Sequence, residues 1–152
     1  MGLRGFEFVG MIDGSNATPV IRDVVLGAAA AHHVGDLVLI QSDGYADQVT
    51  ATTTEVTGVI QEEVAAAAIT AGTTKAKIAI LTPNQVWRDS SDASSNTGDP
   101  GYTNACDTAD CRTFDASDTS GGNMVLLSKD TLDDEGNAIA EVLFSNCTFQ
   151  PI

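Results

Sequence analysis

The sequence predicts an all-β protein, a small β-barrel or sandwich, on three observations. Short runs rich in Val, Ile and Leu recur along the chain between Gly, Asp and Asn, a pattern typical of strands joined by tight turns. Only the alanines at 28–31 and the run at 64–69 have high helix propensity, and both are short. With 152 residues, 43% of them hydrophobic, the chain has material for a single domain with a modest core.

The apolar runs define the predicted strands, which cover 5–11, 19–26, 34–41, 46–51, 56–64, 75–81, 123–129 and 138–149. Alternation of apolar and polar residues is cleanest in 75–81. Asp43-Gly44 separates two of these runs and predicts a hairpin, because Asp-Gly favours the tight turns that join antiparallel strands. The segment 133–137 predicts a second turn, in which Gly136 supplies a positive φ.

The segment 89–122 has no periodicity and predicts a long acidic loop within the domain. Between 89 and 118 it contains seven aspartates and one arginine, Arg112, so its net charge is −6. A loop of this length without secondary structure is uncommon in a compact domain. The segment is therefore the first place to look for a functional site.

The loop contains two cysteines, Cys106 and Cys111, which could belong to a zinc site, a redox pair or a disulfide. A zinc site needs four ligands, and no second paired motif supplies them. A redox pair would have the two-residue spacing, and the neighbouring Asp107 and Asp110 raise rather than lower a thiol pKa. Two hypotheses stay open: a local disulfide that tethers the loop, or two reduced thiols. Cys147 lies in a strand-like run, where we expect it to pack as a small apolar group.

No catalytic constellation is evident. The chain lacks G-x-S-x-G, a Walker-type loop and G-x-G-x-x-G. His32 and His33 are adjacent, so in an extended chain their side chains point to opposite faces. Loops starting at Asp92 and Asp130 depart from the calcium-loop pattern at ligand positions. We therefore expect no enzyme activity, no resident metal and no cofactor.

The charge of the chain excludes some partners. Seven basic residues against 21 acidic residues give a formal net charge of −14. The phosphate backbone repels such a protein, so we expect no nucleic-acid partner. No apolar run reaches the length of a membrane-spanning helix, and the N-terminus lacks the pattern of a secretory leader. We therefore expect no membrane partner.

One long stretch has a familiar pattern. The residues VVLGAAAAHHVGDLVLI followed by QSDGYADQVTATTTEVTGVIQEEV span 24–63. This stretch resembles the small capsid decoration, or cement, proteins of tailed bacteriophages, with a GDLV strand, a DG hairpin and GVI followed by acids. The later pieces KAKIAILTPNQVWR and EVLFSNCTF are also similar to that family. The acidic loop with its two cysteines is not part of the pattern.

The resemblance implies a β-tulip-like fold and a homotrimer. It also implies a virion protein, made in the host cytoplasm, that is seated on the outer capsid surface and bridges subunits of the major capsid protein. Several weak contacts made together would then give a strong attachment. A different class stays open as the alternative, a calcium-stabilised glycan-binding or adhesion module.

Candidate contact residues follow from this hypothesis. The N-terminal segment 1–12 is expected to extend from the domain as an arm and to reach a capsid subunit as an added strand. Arginine and tryptophan are scarce in this chain and are enriched at interface hot spots. The expected capsid or trimer contacts are Arg4, Phe6, Arg22, Trp87 and Arg88. For each of them, a surface cation or a core aromatic is the competing interpretation.

Overall fold

The structure is a computed structural model that describes residues 5–50, 53–90, 105–108, 111–115, 123–132 and 138–149, with the backbone alone at 105–108, 115, 129–132 and 138. Within these residues the chain forms eleven strands and one 3-10 turn, Ala66–Ala68. The strands are β1 (Glu7–Met11), β2 (Ile21–Val25), β3 (Leu37–Ile40), β4 (Ala46–Gln48), β5 (Gly58–Ile60), β6 (Lys75–Ile80), β7 (Gln85–Ser90), β8 (Ala105–Thr108), β9 (Phe114–Asp115), β10 (Met124–Leu132) and β11 (Ala138–Phe144).

Two antiparallel sheets contain all these strands, which confirms the all-β prediction. Sheet A has the order β1-β7-β11-β10-β8-β9, and sheet B has the order β2-β6-β5-β3-β4. Sheet B curls until Leu26, just after β2, meets Ala46 of β4 through a single parallel bridge. The chain turns away after that bridge, so the ladder does not continue. The architecture is therefore a small sandwich and not the closed barrel that was the other expectation.

The main core lies between the two sheets. Its largest members include Trp87 on β7, Phe144 on β11 and Phe114 on β9, each at most 1% exposed. Phe6 enters from the start of the chain and packs edge-on against Phe144, with ring centroids 5.4 Å apart. Edge-to-face packing is favourable for aromatic rings beyond the area they bury. Four aromatic residues of the described structure, Phe6, Trp87, Phe114 and Phe144, thus form much of the interior.

The inner strands of sheet B, β3 and β5, are covered on both faces, which creates a second core. Leu37, Val59 and Ala79 belong to the main core, whereas their chain neighbours Val38, Ile60 and Ile78 belong to the second. Successive side chains of a strand point to opposite faces, so the continuous apolar runs of β3 and β5 fill both cores. The second core is completed by Leu26, Ala46, Ile69 and Ala76. The expectation of a single modest core is corrected accordingly.

The segment 7–25 runs along the segment 75–90 and forms one side of both sheets. Met11 of β1 pairs with Gln85 of β7, and Ile21 of β2 pairs with Ala79 of β6. Between these strands the contact continues, because the Ile12 N–H donates to the Asn84 carbonyl over 2.9 Å. The described part of the predicted arm is therefore an integral strand of sheet A and does not extend freely. Residues 1–4 lie outside the described residues.

The predicted acidic loop is partly strand. Asp89 and Ser90 end β7, and β8 extends sheet A by pairing with β10. β9 then pairs with β8, with Phe114 opposite Thr108. Polar composition concealed these strands, because short edge strands need few apolar residues beyond an anchor such as buried Phe114. The stretches 91–104, 109–110 and 116–122 lie outside the described residues.

Candidate interaction surface

Four exposed aliphatic side chains lie on the side formed by the segment 7–25. They are Val9 (46% exposed), Ile12 (52%), Val20 (52%) and Ile21 (45%). We call these four residues the edge surface. Isolated apolar residues are common on protein surfaces, but exposed apolar residues on and beside two edge strands are candidates for an interaction site.

The two edge strands differ in how open they are to a further strand. Among the described strands, each pairs on one side only, β1 with β7 and β2 with β6. The register of β1 shifts between Phe8 and Gly10, which marks a bulge at Val9. Bulges twist an edge and hinder further pairing. β2 pairs without interruption from Ile21 to Val25, so its outer edge is the better template for another strand.

Two of the predicted contact residues, Arg22 and Arg88, are exposed beside this surface. Arg22 lies on β2, and its Nη1 donates to the carbonyl of Ile21 over 3.0 Å. Among the described residues it forms no salt bridge. Arg88 lies on β7, and its Nη2 is 3.1 Å from Oε2 of Glu7, with both side chains about half exposed. Both arginines are therefore accessible to a partner, and the contacts predicted for them stay predictions. Arg4 lies outside the described residues.

The structure corrects the contacts predicted at Phe6 and Trp87. Phe6 is 3% exposed and Trp87 is 1% exposed, so neither offers a surface to a partner. The Trp87 Nε1–H donates to Oε1 of Gln85 over 3.1 Å, and Phe8 packs edge-on at 5.4 Å. A buried indole usually needs such a partner for its N–H. Scarcity was a poor guide to Trp87, because it shows how often a residue type occurs and not where it lies in the fold.

A close crossing of two glycines fixes the start of β1. Gly5 and Gly35 both have positive φ, 104° and 96°, and a Cβ at Gly35 would lie 2.6 Å from the Cα of Gly5. The Phe6 N–H donates to the Gly35 carbonyl over 2.9 Å. Only residues without a side chain allow this approach. The crossing places the start of β1 against the loop that precedes β3.

A pocket of about 270 Å³ opens beside this crossing. Its walls are Gly5, Phe6, Glu7, Phe8, Val34, Gln61 and Trp87. Val34 is 50% exposed at the mouth, and the aromatic rings form the floor. No local sequence pattern predicts this pocket, because its walls come from four separate parts of the chain.

A buried carboxylate ties the loop before β3 to its surroundings. Asp36 is fully buried, and its Oδ1 accepts a hydrogen bond from Nε of Arg112 over 2.9 Å. Its Oδ2 accepts from the His33 N–H over 2.9 Å and from Nε2 of Gln48 over 3.1 Å. A buried charge requires such partners. The role of this cluster is structural.

The adjacent histidines point apart, as the sequence predicted. His33 is half exposed, with its Nδ1 2.7 Å from Oε2 of Glu63. His32 is 1% exposed, and neither of its ring nitrogens has a hydrogen-bond partner in the described structure. Burial lowers the pKa of His32, and the carboxylate of Asp47 opposes that shift. His32 is therefore held neutral by its surroundings.

Among the described cysteine side chains, Cys147 is buried and has no reactive character. Cys147 is buried, its Sγ donates to the Phe144 carbonyl over 3.5 Å, and burial raises the pKa of its thiol to about 12. This confirms the prediction that Cys147 packs as an apolar group. Cys111 is half buried against the main core. The side chain of Cys106 lies outside the described structure, so the Cys106–Cys111 disulfide stays a prediction.

Within the described ranges, no group of three His, Cys, Asp or Glu side chains is arranged to hold a metal ion. The same ranges contain no helix with the length and apolar character needed to cross a bilayer. No protein-family model matches the chain, and no curated protein sequence matches it either.

Proposed function

We propose that this protein decorates a viral capsid, binding its outer surface and bridging neighbouring major capsid subunits. The observation that carries the proposal is the edge surface, where Val9, Ile12, Val20 and Ile21 are exposed on the open side of two sheets. The similarity of the sequence to phage decoration proteins supports the same function. A binding role also fits a chain whose described polar clusters serve packing rather than catalysis.

The edge surface suits attachment to a large, repetitive target. The regular outer edge of β2 presents backbone groups that can pair with an extended segment of a capsid subunit. The four aliphatic side chains add apolar contact beside that edge. A homotrimer brings three such edges to the shell at once, so modest single contacts combine into lasting attachment. The charge of −14 disfavours nonspecific adhesion to other acidic surfaces.

Binding to undecorated capsids of the source virus tests the proposal. The purified chain should sediment with the capsids at a fixed, near-stoichiometric occupancy. The double variant Ile12→Lys, Ile21→Lys should lose at least tenfold in affinity, because it places charge on the edge surface. Phe149→Lys changes an equally exposed apolar residue outside that surface (48% exposed) and serves as the control. Failure of the unmodified protein to bind, or equal loss in the control, contradicts the proposal.

Oligomeric state gives a second, independent test. Light scattering during gel filtration should show a trimer whose mass is unchanged by EDTA. A monomer that assembles or binds glycans only with calcium would instead support the adhesion alternative. No described metal cluster favours that alternative.

A further inference from the structure

We propose that the outer edge of β2 binds an extended segment of a partner protein, antiparallel to β2, with a carboxylate of that segment opposite Arg22. In the decoration role the owner of the segment is a major capsid subunit, and that assignment rests on the proposed function. The chemistry of the edge does not depend on the owner. It follows from the direction of the backbone groups of β2 and from the charges beside them.

Hydrogen bonds at both ends of β2 show which of its backbone groups point outward. The Val20 carbonyl accepts from an N–H of β6 over 2.8 Å, and the Leu26 N–H donates to the residue just before β6 over 2.8 Å. In an antiparallel ladder, positions bonded to the partner strand alternate with positions whose N–H and C=O face away from it. Because β2 pairs with β6 without a bulge, its even-numbered positions face β6. Ile21 and Asp23 therefore direct their N–H and C=O groups outward.

These two outward positions are accessible to a further strand. Among the described strands, β2 is the end of sheet B, and on its outer side it meets β4 only through the bridge between Leu26 and Ala46. That bridge lies beyond the C-terminal end of β2. Ile21 and Asp23 can thus each exchange two hydrogen bonds with a residue laid opposite them. Two such pairs fix the register of a bound segment.

Arg22 determines which segment fits this register. It lies between the two outward positions, where opposing Cα atoms of an antiparallel pair are only about 4.5 Å apart. Its side chain is exposed, and among the described residues it forms no salt bridge. Its Nη1 donates to the Ile21 carbonyl over 3.0 Å and so covers one outward acceptor. A carboxylate opposite Arg22 draws the guanidinium away and leaves that carbonyl to the backbone of the segment, whereas a neutral segment must compete with it.

The neighbouring positions limit the rest of the segment. Ile21 is 45% exposed and favours a β-branched residue opposite it. Asp23 is ion-paired, with its Oδ1 2.9 Å from Nζ of Lys77, and a second carboxylate opposite it would meet a like charge. The segment that fits thus has a single carboxylate between uncharged residues. Low charge also limits its repulsion by a chain with net charge −14.

A second copy of this chain is a poor occupant of the same edge. When two copies of one strand pair antiparallel around a two-fold axis, one residue lies opposite itself. A pair centred on Arg22 or on Asp23 brings like charges together, which destabilises a sheet. A pair centred on Ile21 places Asp23 opposite Pro19, which has no N–H to donate. The edge is therefore better suited to a different chain.

A peptide titration of the intact protein tests the edge. The probe is acetyl-Val-Thr-Glu-Val-Val-amide, whose central glutamate can lie opposite Arg22. We expect saturable shifts of the Ile21 and Asp23 amide resonances in proton–nitrogen correlation spectra. The same peptide with glutamine at its centre should bind at least about threefold more weakly. Added salt should reduce this difference.

Methylated peptides distinguish strand pairing from attraction between side chains alone. In the antiparallel register, the threonine and the valine after the glutamate aim their N–H groups at β2, so N-methylation of both should abolish binding. The N–H of the central glutamate points away from β2, so its N-methylation should be tolerated. Equal loss with the two kinds of methylation overturns the proposed pairing.

Substitutions assign the preference for a carboxylate to Arg22. Arg22→Glu should reverse it, so that the peptide with lysine at its centre binds better than the one with glutamate, a gain that misfolding cannot mimic. Lys75→Gln removes another exposed cation, at the start of β6, and should leave the preference for glutamate over glutamine unchanged. Absence of saturable shifts, equal binding of the glutamate and glutamine peptides, or an unchanged preference in Arg22→Glu overturns the proposal.

Sedimentation with capsids identifies the owner of the segment. Arg22→Glu should lower the affinity for capsids at least about threefold, because the like charge then faces the carboxylate of the segment. Equal capsid binding by this variant and the unmodified protein, together with a reversed peptide preference, overturns the capsid subunit as owner while decoration stands. If the unmodified protein fails to bind capsids, the proposed function is wrong, and the peptide titration still decides the chemistry of the edge.

Discussion

Gly35 shows how much a single residue contributes to the placement of β1. Its backbone passes so close to Gly5 that a methyl group has no room, and its φ of 96° disfavours any L side chain. Left-handed strain costs about 1–3 kcal/mol, and overpacking adds about 1–3 kcal/mol. We therefore expect Gly35→Ala to lower the free energy of unfolding by about 2–6 kcal/mol in urea titrations.

Gly44→Ala is the matched control for this substitution. Gly44 has a similar φ of 86°, but a Cβ there would meet nothing within 4 Å. Gly44→Ala should therefore lower the free energy of unfolding by the backbone strain alone, about 1–3 kcal/mol. Equal losses in the two variants would show that the crossing contributes nothing beyond backbone conformation.

His32 makes stability depend on pH. Burial lowers its pKa in the folded state below the ordinary value near 6.5, so the unfolded chain binds the proton first as pH falls. The stability that neutral His32 contributes to the folded state is fully present above about pH 6.5 and is lost progressively below that pH. We expect the urea midpoint to fall between pH 7 and pH 5.5, and His32→Leu to flatten that decrease. His33→Gln should leave the decrease of the urea midpoint unchanged. A urea midpoint that does not vary with pH in the unmodified protein would contradict this role of His32.

Residue roles were only partly predictable from the sequence. Burial of Cys147 followed from its strand-like surroundings, and the opposite directions of His32 and His33 followed from strand geometry. Trp87 was expected at a partner surface because tryptophan is scarce, and Phe6 because it lies in the predicted N-terminal arm. Neither property shows where a residue lies in the fold. Their burial depends on the pairing of β1 with β7, which brings together residues about eighty positions apart.

At the scale of elements, Asp36 joins the loop before β3 to the segment that leads into β9. Asp36→Asn keeps the shape but removes the charge opposite Arg112. We expect the free energy of unfolding to fall by about 2–3 kcal/mol, below the roughly 3–5 kcal/mol of a fully buried pair, because Arg112 is 34% exposed. Asp23→Asn breaks the exposed pair with Lys77 and should change little. Comparable losses in the two variants would contradict a special role for Asp36.

Strands with regular patterns were predicted well. The run 75–81 became β6, and the hairpin at Asp43–Gly44 joins β3 to β4 as expected. β7 was missed, although it lies between β1 and β11. Its residues Asp89 and Ser90 are polar yet at most 2% exposed, so its sequence does not alternate. Such a strand is recognised only once the strands that flank it in the sheet, β1 and β11, are known.

On the scale of the whole molecule, the charge of −14 opposes compaction. Screening of that self-repulsion should raise the free energy of unfolding as sodium chloride increases from 0.02 to 0.5 M, because the Debye length falls from about 20 Å to about 4 Å. Chloride is the suitable anion, since sulfate strengthens apolar burial by another route. Urea titrations at each salt concentration measure the effect. A stability that falls with salt would mean that attractive ion pairs outweigh repulsion.

The candidate surfaces were the least predictable feature at this scale. The edge surface depends on which strands end a sheet, and the pocket beside the Gly5–Gly35 crossing depends on the approach of two segments distant in the sequence. Neither property is local in the sequence.

The hairpin between β3 and β4 has a practical consequence. Its residues 41–44 are exposed, and Gly44 has open space around it. The turn lies beside β4, at one end of the strand order of sheet B. Exposed turns of this kind tolerate added chain at little cost to the fold. A foreign peptide inserted after Asp43 would thus be exposed to solvent while the fold is kept, which makes this turn a suitable place for a label or an epitope.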